Sequence, residues 1–555
     1  GAAAQGGASG DNNREIKQNI AIGSGALMGG TLASTNHLQA CIAIGHNALD
    51  ATNDAHHIGE IAIGYAALGA LTSGTGNTAI GYECLDATDD GSYNTAVGLQ
   101  ALSANCGNEN TAIGYQALLV NTAGDNTAVG AYTLKDMVEG FDNVAIGMNA
   151  LGGALDATAD GSEGNVAIGK AAMGGAWVTA VSNYNIAIGH QALDANLNGA
   201  NYNVAVGRRA ATHLVSGDAN VAIGPDSLYS STDVDKTVII GADSGQGVMT
   251  DAADGTVAVG FGALNQNTTG GNNVAVGFKA MYENTIGGNN TVVGFGAMDD
   301  SAALENNNNT FIGFNSGGGT WVNTASSQNT AVGSGSMLGA MDTSLRNTAI
   351  GYQALTANTT GTDNTCLGST AGNTLTTGAE NTILGANCDV ASNDNTNNVI
   401  IGNNLTATDK DNAVFIGNNT NHIENDFNAD ATWNYSSDKR QKTDIKNDAL
   451  GLDFIKDLRP VTYKHKSPSE FPKEWSSYNA DDKKPMGGDK VIHGLIAQEV
   501  KEALDKQSVD TFGGWSVGDD GRQRISAEKM VMPLIKAVQE LSAKVESLEK
   551  QLKDK

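Results

Sequence analysis

Cations, aromatic rings and prolines are scarce in most of this chain, and each shortage narrows what the protein can be. Residues 1–430 hold 10 of the 32 Lys and Arg residues but 39 of the 60 Asp and Glu residues. Such an acidic segment argues against a nucleic-acid partner, because phosphate binding needs clustered cations. Aromatic residues are 5% of the chain, whereas Gly accounts for 71 of 555 residues. This composition is poor for a large globular core and suits narrow, repetitive β structure.

Cysteines and long apolar runs are also few. The five cysteines are odd in number and show no C-x-x-C spacing, so we expect small buried core residues rather than a disulfide framework or a zinc site. The Asp-rich turns at Asp86–Asp90 and Asp156–Asp160 lack the sequence of a calcium loop and are interpreted as solvated turns. No run approaches the roughly 18 apolar residues of a membrane span. We therefore expect no cofactor, no bound metal and no membrane span.

The composition changes near residue 430. Residues 431–555 carry 22 Lys and Arg against 21 Asp and Glu, so this part is nearly neutral while the first part is strongly acidic. Five of the six prolines also lie beyond residue 459. Two segments of different character are therefore joined here, and we predict a domain boundary.

A short repeat fills the first segment. Asn77 to Tyr82, Asn110 to Tyr115 and Asn347 to Tyr352 are copies of N-T-A-I-G-Y, usually followed three residues later by Leu or Met. We count 23 copies by their glycine, from Gly23 to Gly417, most often 17 residues apart and ranging from 15 to 22. The unit is too short for a helical pair and fits one coil of a β-solenoid.

The residues of the repeat predict how the coil is built. Period-two alternation puts the small Ala on one face of the strand and its two larger neighbours on the other. Gly permits a bend or a positive φ, and the Asn before the strand tolerates a turn conformation. Stacked coils would form an Asn side-chain ladder and columns of the aromatic and Leu or Met residues. The four longest intervals indicate protruding turns.

This unit resembles the head repeat of YadA-like trimeric adhesins. The resemblance covers residues 19–420 and implies a left-handed parallel β-roll in which three chains form one rod. Phage fibres and bacterial adhesins share this module, so the resemblance indicates architecture more than function. Bacterial trimeric adhesins end in membrane strands of alternating residues, a pattern not recognised here.

The second segment carries three ordered motifs. They are Ser437-Asp438-Lys439-Arg440-Gln441-Lys442, then Leu458 to Lys464, then His493 to Val500. Together with a helical tail they are similar to the intramolecular chaperone, a self-cleaving peptidase, of phage endosialidases and tail fibres. The resemblance implies a cut between Ser437 and Asp438, with Ser437 as nucleophile and Lys442 as base. A lysine shielded from water can lose its proton near neutral pH, which makes this pairing chemically sensible.

The pattern of apolar residues in the last thirty residues predicts a coiled coil, independently of any family resemblance. Seven apolar residues alternate three and four positions apart, at Val531, Leu534, Val538, Leu541, Val545, Leu548 and Leu552. Such a narrow apolar seam must be buried against copies of itself or against its own domain. The family resemblance implies three copies.

We therefore predict a mainly β protein: a trimeric left-handed parallel β-roll or solenoid shaft, followed by a small α+β chaperone domain that ends in a coiled-coil helix. The expected parts are an attachment end at residues 1–18, the shaft at 19–420, a linker at 421–435, and the chaperone at 436–555 with its coiled coil at 526–555.

The predicted function is a homotrimeric virion tail fibre, made in the host cytoplasm and acting outside the cell. Its partners would be its own copies, a host surface receptor that is a glycan or an outer-membrane component, and the virion tail or baseplate. The chaperone would set the register of three nearly uniform rods and then cut itself off once, by serine-type autoproteolysis. The alternatives are a surface polysaccharide depolymerase, with His56, His57 and scattered carboxylates as candidate residues, and a host-encoded adhesin or contractile-injection fibre.

Overall fold

The computed structural model describes residues 15–29, 37–52, 56–153, 160–301, 303–428, 439–473, 475, 477–485, 488, 490–518 and 521–554. The chain divides into two compact units, Gly1–Tyr435 and Ser436–Lys555. The first unit is almost entirely short β-strands and turns, and the second combines helices with two small sheets. The prediction of a mainly β solenoid followed by a small α+β domain is confirmed.

Each of the 23 repeat copies forms one strand of a single parallel ladder, and one antiparallel strand follows it. Three further strands form a second short parallel sheet near the start. The strands of the first unit are β1 (Glu15–Lys17), β2 (Ile20–Ile22), β3 (His37–Gln39), β4 (Ile42–Ile44), β5 (His57–Ile58), β6 (Ile61–Ile63), β7 (Thr78–Ile80), β8 (Thr95–Val97), β9 (Thr111–Ile113), β10 (Thr127–Val129), β11 (Val144–Ile146), β12 (Val166–Ile168), β13 (Ile186–Ile188), β14 (Val204–Val206), β15 (Val221–Ile223), β16 (Val238–Ile240), β17 (Val257–Val259), β18 (Val274–Val276), β19 (Thr291–Val293), β20 (Thr310–Ile312), β21 (Thr330–Val332), β22 (Thr348–Ile350), β23 (Thr365–Leu367), β24 (Thr382–Leu384), β25 (Val399–Gly402), β26 (Ala413–Gly417) and β27 (His422–Asp426).

Neighbouring coils pair in register. Ala128 of β10 lies beside Ala145 of β11, which lies beside Ala167 of β12. The middle residue of nearly every strand is buried, whereas the residues on either side of it are partly exposed, as the alternation predicts. Strand β27 pairs antiparallel with β26 and covers the last parallel edge, so the first residues of the predicted linker belong to the sheet.

The repeat glycines are required by both backbone conformation and space. Gly207 has φ +140°, and a Cβ atom there would lie 2.5 Å from the carbonyl oxygen of Gly224 in the next coil. The same approach recurs from coil to coil, which explains why glycine punctuates the sequence. The predicted positive φ is confirmed at the repeat glycines other than Gly402.

A buried asparagine ladder runs along the shaft, as predicted. Asn94 donates its backbone N–H to Oδ1 of Asn77 at 2.9 Å, and Nδ2 of Asn77 donates to the carbonyl of Gly91 at 2.8 Å. The Asn77 side chain therefore makes hydrogen bonds to two backbone groups of the next coil. The ladder changes to threonine at Thr237 and Thr256. The turn role assigned to the asparagine was wrong, because the positive φ falls on the residue before it.

Other columns also form. Phe261, Phe278, Phe295 and Phe314 stack on one another along the outside, while the Leu or Met three positions further on is buried. Two of the four longest intervals use their extra residues differently from the prediction. They place the indoles of Trp177 and Trp321 in the core, so protruding turns alone do not account for their length.

Glu60 takes the place of an asparagine in the ladder. Its Oε2 accepts the N–H of Asn77 at 2.8 Å, but its Oε1 is buried and has no hydrogen-bond partner among the described residues. The atom equivalent to Oε1 in Asn77 is a donor that binds a carbonyl. A carboxyl group therefore fits this place best when it is protonated, and burial raises the pKa of Glu60 to about 8.

We expect the coils around Glu60 to lose stability as pH rises from about 4.5, the ordinary pKa, to about 8. The folded state keeps a proton that the unfolded chain releases, so the stabilisation is complete below the lower value and lost through the upper one. Glu60→Gln should remove this dependence and protect the coils at pH 9 by a few kcal/mol, on the order expected from such a pKa difference.

Amide hydrogen exchange in residues 61–81, corrected for intrinsic rates, measures this effect. Glu109→Gln is the matched control, because Glu109 is exposed. An unchanged pH profile in Glu60→Gln would contradict the assignment.

Candidate active site in the C-terminal unit

The second unit is built on three helices and two antiparallel sheets of two strands each. The helices are α1 (Leu452–Asp457), α2 (Ala497–Lys506) and α3 (Val531–Lys553), and the strands are β28 (Val461–Tyr463), β29 (Ile492–Gly494), β30 (Trp515–Val517) and β31 (Gln523–Ile525). Short 3₁₀ turns occupy Lys439–Gln441, Pro468–Glu470 and Glu528–Met530. Phe454 of α1 and Val500 and Leu504 of α2 form its buried centre.

The second and third sequence motifs meet in space. Strand β28 pairs antiparallel with β29, with Thr462 opposite His493. Just outside the strands, Nε of Arg459 donates to Oε2 of Glu499 at 3.2 Å, and a second contact joins the same two side chains. This hydrogen-bonded ion pair holds the pKa of Glu499 below its ordinary value. The Arg and the Glu thus fix the two motifs to each other.

The glycine of the third motif makes room for the tyrosine of the second. A Cβ atom at Gly494 would lie 3.1 Å from the ring of Tyr463, closer than side chains normally pack. These two motifs therefore read as structural parts of one fold around β28 and β29.

Helix α3 contacts the rest of its unit through residues of its N-terminal half. Oε2 of Glu540 accepts the backbone N–H of Leu452 at 2.8 Å, at the start of α1. This hydrogen bond lowers the pKa of Glu540. Pro533 and Ala537 are the buried residues of α3. One face of the helix is thus packed on its own domain.

The predicted seam lies on a different face of α3. All seven seam residues are exposed, from 46% at Val531 to 73% at Leu552. The sequence left open whether the apolar residues of this helix are buried against copies of the chain or against its own domain. The contact with α1 uses one face of α3, and the seam lies on another face that stays exposed.

The structure places one of the three predicted catalytic residues. Lys442 follows the 3₁₀ turn, its backbone N–H donates to the carbonyl of Lys439 at 3.1 Å, and its side chain is exposed. A lysine base is expected to be shielded from water, whereas this side chain is exposed in the described part of the chain. Ser437 and Asp438 lie outside the described residues, and their pairing with Lys442 stays a prediction.

Residues 437–508 match a peptidase family described as the chaperone of endosialidase. The match begins at the predicted nucleophile and covers the three motifs, including the β28–β29 pair and α2. No curated protein and no solved structure matches the chain. The endosialidase-chaperone match and the β-solenoid are thus the two findings on which a function can be based.

The remaining sequence candidates have structural roles. All five cysteines are free and buried, as expected. His57 is buried and its Nε2 lies 3.1 Å from the carbonyl oxygen of Thr72, so it is a core residue rather than a surface acid or base. Sequence reasoning did not find Glu60 or His57 as core residues, although the position of Glu60 in the ladder column offered a signal. None of the described helices is long and apolar enough to cross a bilayer.

Proposed function

We propose that this chain is a homotrimeric virion tail fibre whose C-terminal unit assembles three chains and then cuts itself off between Ser437 and Asp438. In this scheme residues 19–420 are the shaft, residues 436–555 the chaperone, and the fibre binds a receptor on the host surface. The observation that carries the proposal is an uncovered heptad seam on α3, next to residues that match the endosialidase chaperone.

The seam supports assembly because all seven of its residues are exposed in the described part of the chain. Its first residues, Val531 and Leu534, also line an apolar groove of about 350 Å³ together with Leu458, Leu495 and Met530. Apolar surface of this length on a helix is stabilised by burial against identical helices.

The uniformity of the shaft supports a separate folding unit. Successive coils present nearly the same strand, ladder and columns, so a chain slipped by one coil against its neighbours would lose little pairing energy. A clamp that holds three chain ends together before the coils form removes this ambiguity. Cleavage afterwards would leave the shaft kinetically trapped.

The exposed Lys442 fits a cut that waits for assembly. We infer that neighbouring chains shield Lys442 in the trimer, so that Ser437 is activated only after the three chains have joined.

Intact-mass measurement of freshly expressed full-length chain tests the cut. We expect two fragments whose masses place the broken bond between Ser437 and Asp438. Ser437→Ala should abolish both fragments, and Lys442→Ala should slow their appearance at least a hundredfold, within the range that general bases contribute.

Ser436→Ala and Lys439→Ala are the matched controls, since each removes a neighbouring group of the same kind. A fragment pattern that persists in Ser437→Ala, or a cut at another bond, would contradict the assignment.

A further inference from the structure

A groove lies on the shaft where two successive coils have a glycine at the same position of the turn. The residue five positions after each repeat glycine forms a column along the turns, and it is glycine at Gly69, Gly152, Gly174 and Gly318. Gly152 and Gly174 belong to adjacent coils, the one place in the sequence where two such glycines follow each other. A groove lies at these two glycines, and a Cβ atom at Gly152 would lie 2.6 Å from the carbonyl oxygen of Tyr132.

The groove has about 550 Å³ of space and is bounded by charged residues of opposite sign. Lys135 is the column residue before the two glycines, and Asp194 is the one after them. Three coil steps separate the two, or about 14 Å at the usual spacing of strands. The volume lies within the roughly 300–1,000 Å³ of small-molecule sites.

The glycines also set the position of the acidic wall. A Cβ atom at Gly174 would lie 2.8 Å from Oδ1 of Asp194, so any side chain there would displace the carboxylate. Partial burial raises the pKa of Asp194, opposed by hydrogen bonds from Gln191 and the Gly174 amide. The Asp194 carboxylate is thus held at the edge of the groove rather than extended into water.

The neighbouring column contributes an uncommitted amide. Two positions after the repeat glycine, Gln116 donates to Gln100 and Gln100 donates to Glu83, each at 2.9 Å. Asn149 occupies the same column inside the groove, but its neighbours are Tyr132 and Ala171. Its exposed side-chain amide makes no hydrogen bond to the described residues.

Aromatic and cationic groups complete the lining. The Tyr132 ring lies edge-on to Tyr115, with centroids 5.0 Å apart, and Nζ of Lys135 lies 5.7 Å from the Tyr132 centroid. The groove thus offers a ring edge and hydroxyl, an amide with both donor and acceptor, one carboxylate and one ammonium. This set matches the alternating hydroxyl groups and apolar C–H surfaces of a sugar.

Charge decides which sugars fit. The groove contains one acid and one base, while the first 430 residues carry 39 acids against 10 cations. A polyanionic glycan or a nucleic acid would be repelled by the surrounding shaft. A neutral oligosaccharide meets no such penalty.

We propose that the groove formed by Tyr132, Lys135, Asn149, Gly152, Gly174 and Asp194 binds a neutral oligosaccharide of the host surface. This rests on the proposed fibre function and assigns its receptor contact to one place on the shaft. The groove lies among turns, outside the strands β10 to β13.

The test measures binding of the purified full-length protein to immobilised neutral oligosaccharides of hexoses and N-acetylhexosamines. We expect at least tenfold weaker binding for Asn149→Ala and for Lys135→Ala, whose side chains are not buried. Gln353→Ala, in the same column of a distant coil, is the matched control and should bind normally.

Binding that survives both groove variants overturns the site. Failure of the wild-type protein to bind any neutral oligosaccharide overturns the ligand class. Binding to host cells that is lost after protease treatment of the cells but survives periodate oxidation of their glycans overturns it too. The proposed fibre function fails by other readouts, subunit number and fragment mass, which these surface variants should leave unchanged.

Discussion

Leu541→Lys combined with Leu548→Lys is expected to yield a chain that neither forms trimers nor cleaves itself. Leu541 and Leu548 are 51% and 58% exposed in the single chain, and both lie in the seam of α3. Burying each leucine in a trimer is worth about 1.5–3 kcal/mol per chain, and the substitutions would place three like charges together in each of two layers. Light scattering after size exclusion measures subunit number, and intact mass measures the cut.

The matched control adds the same charge next to the seam. Ser542→Lys combined with Ser547→Lys puts two lysines on exposed positions of the same helix, and this variant should form trimers and cleave like the wild type. Trimers from the Leu→Lys chain would contradict a seam-driven assembly. Uncut trimers from it would instead separate assembly from activation of Lys442.

The solenoid could be predicted from the sequence because its rule is local and repeated. Alternation placed Ala128 and its two larger neighbours on opposite faces, the repeat glycine predicted a bend or a positive φ, and an asparagine at the same place in most coils predicted the ladder. Each of these inferences uses one copy of the repeat and gains weight from the other copies.

Departures from the repeat were harder to predict, because their outcome depends on neighbouring coils. The sequence does not reveal that Glu60 replaces a ladder asparagine unless the irregular early copies are aligned coil by coil. The extra residues before Trp177 and Trp321 read as protruding turns, yet a large apolar side chain gains more by entering the core. Positive φ on Tyr93 and Glu109 follows from the turn geometry and not from residue preference.

The candidate site was predictable in its motifs but not in its environment. The endosialidase-chaperone match includes Ser437 and Lys442, and the pairing of β28 with β29 explains why two distant motifs occur together. Exposure of Lys442 could not be read from the sequence, because it depends on which chains surround it. The sequence alone also did not show that α3 presents one face to α1 and another to solvent.

Asn203→Ala is expected to open the shaft locally, because Asn203 connects three coils. Its backbone and Nδ2 donate to Oδ1 of Asn185, its Nδ2 also donates to Gly217, and its Oδ1 accepts the N–H of Asn220 at 3.0 Å. Truncation leaves the buried N–H of Asn220 and the carbonyl of Gly217 without partners. Each of these two orphaned groups costs about 1–3 kcal/mol, so we expect a loss of about 2–6 kcal/mol.

Amide hydrogen exchange should report this loss as a fall in protection of about thirtyfold or more in residues 186–223, with distant coils unaffected. Asn203→Thr should cost less, because the ladder itself uses Thr237, whose hydroxyl donates to Asn220 at 2.7 Å. Asn196→Ala, in the same coil, should change little, because the hydrogen bond that its Oδ1 accepts from the N–H of Ala176 is exposed and water can replace it. Equal protection in Asn203→Ala and Asn196→Ala would mean that strand pairing alone holds the coils together and that the ladder contributes nothing to stability.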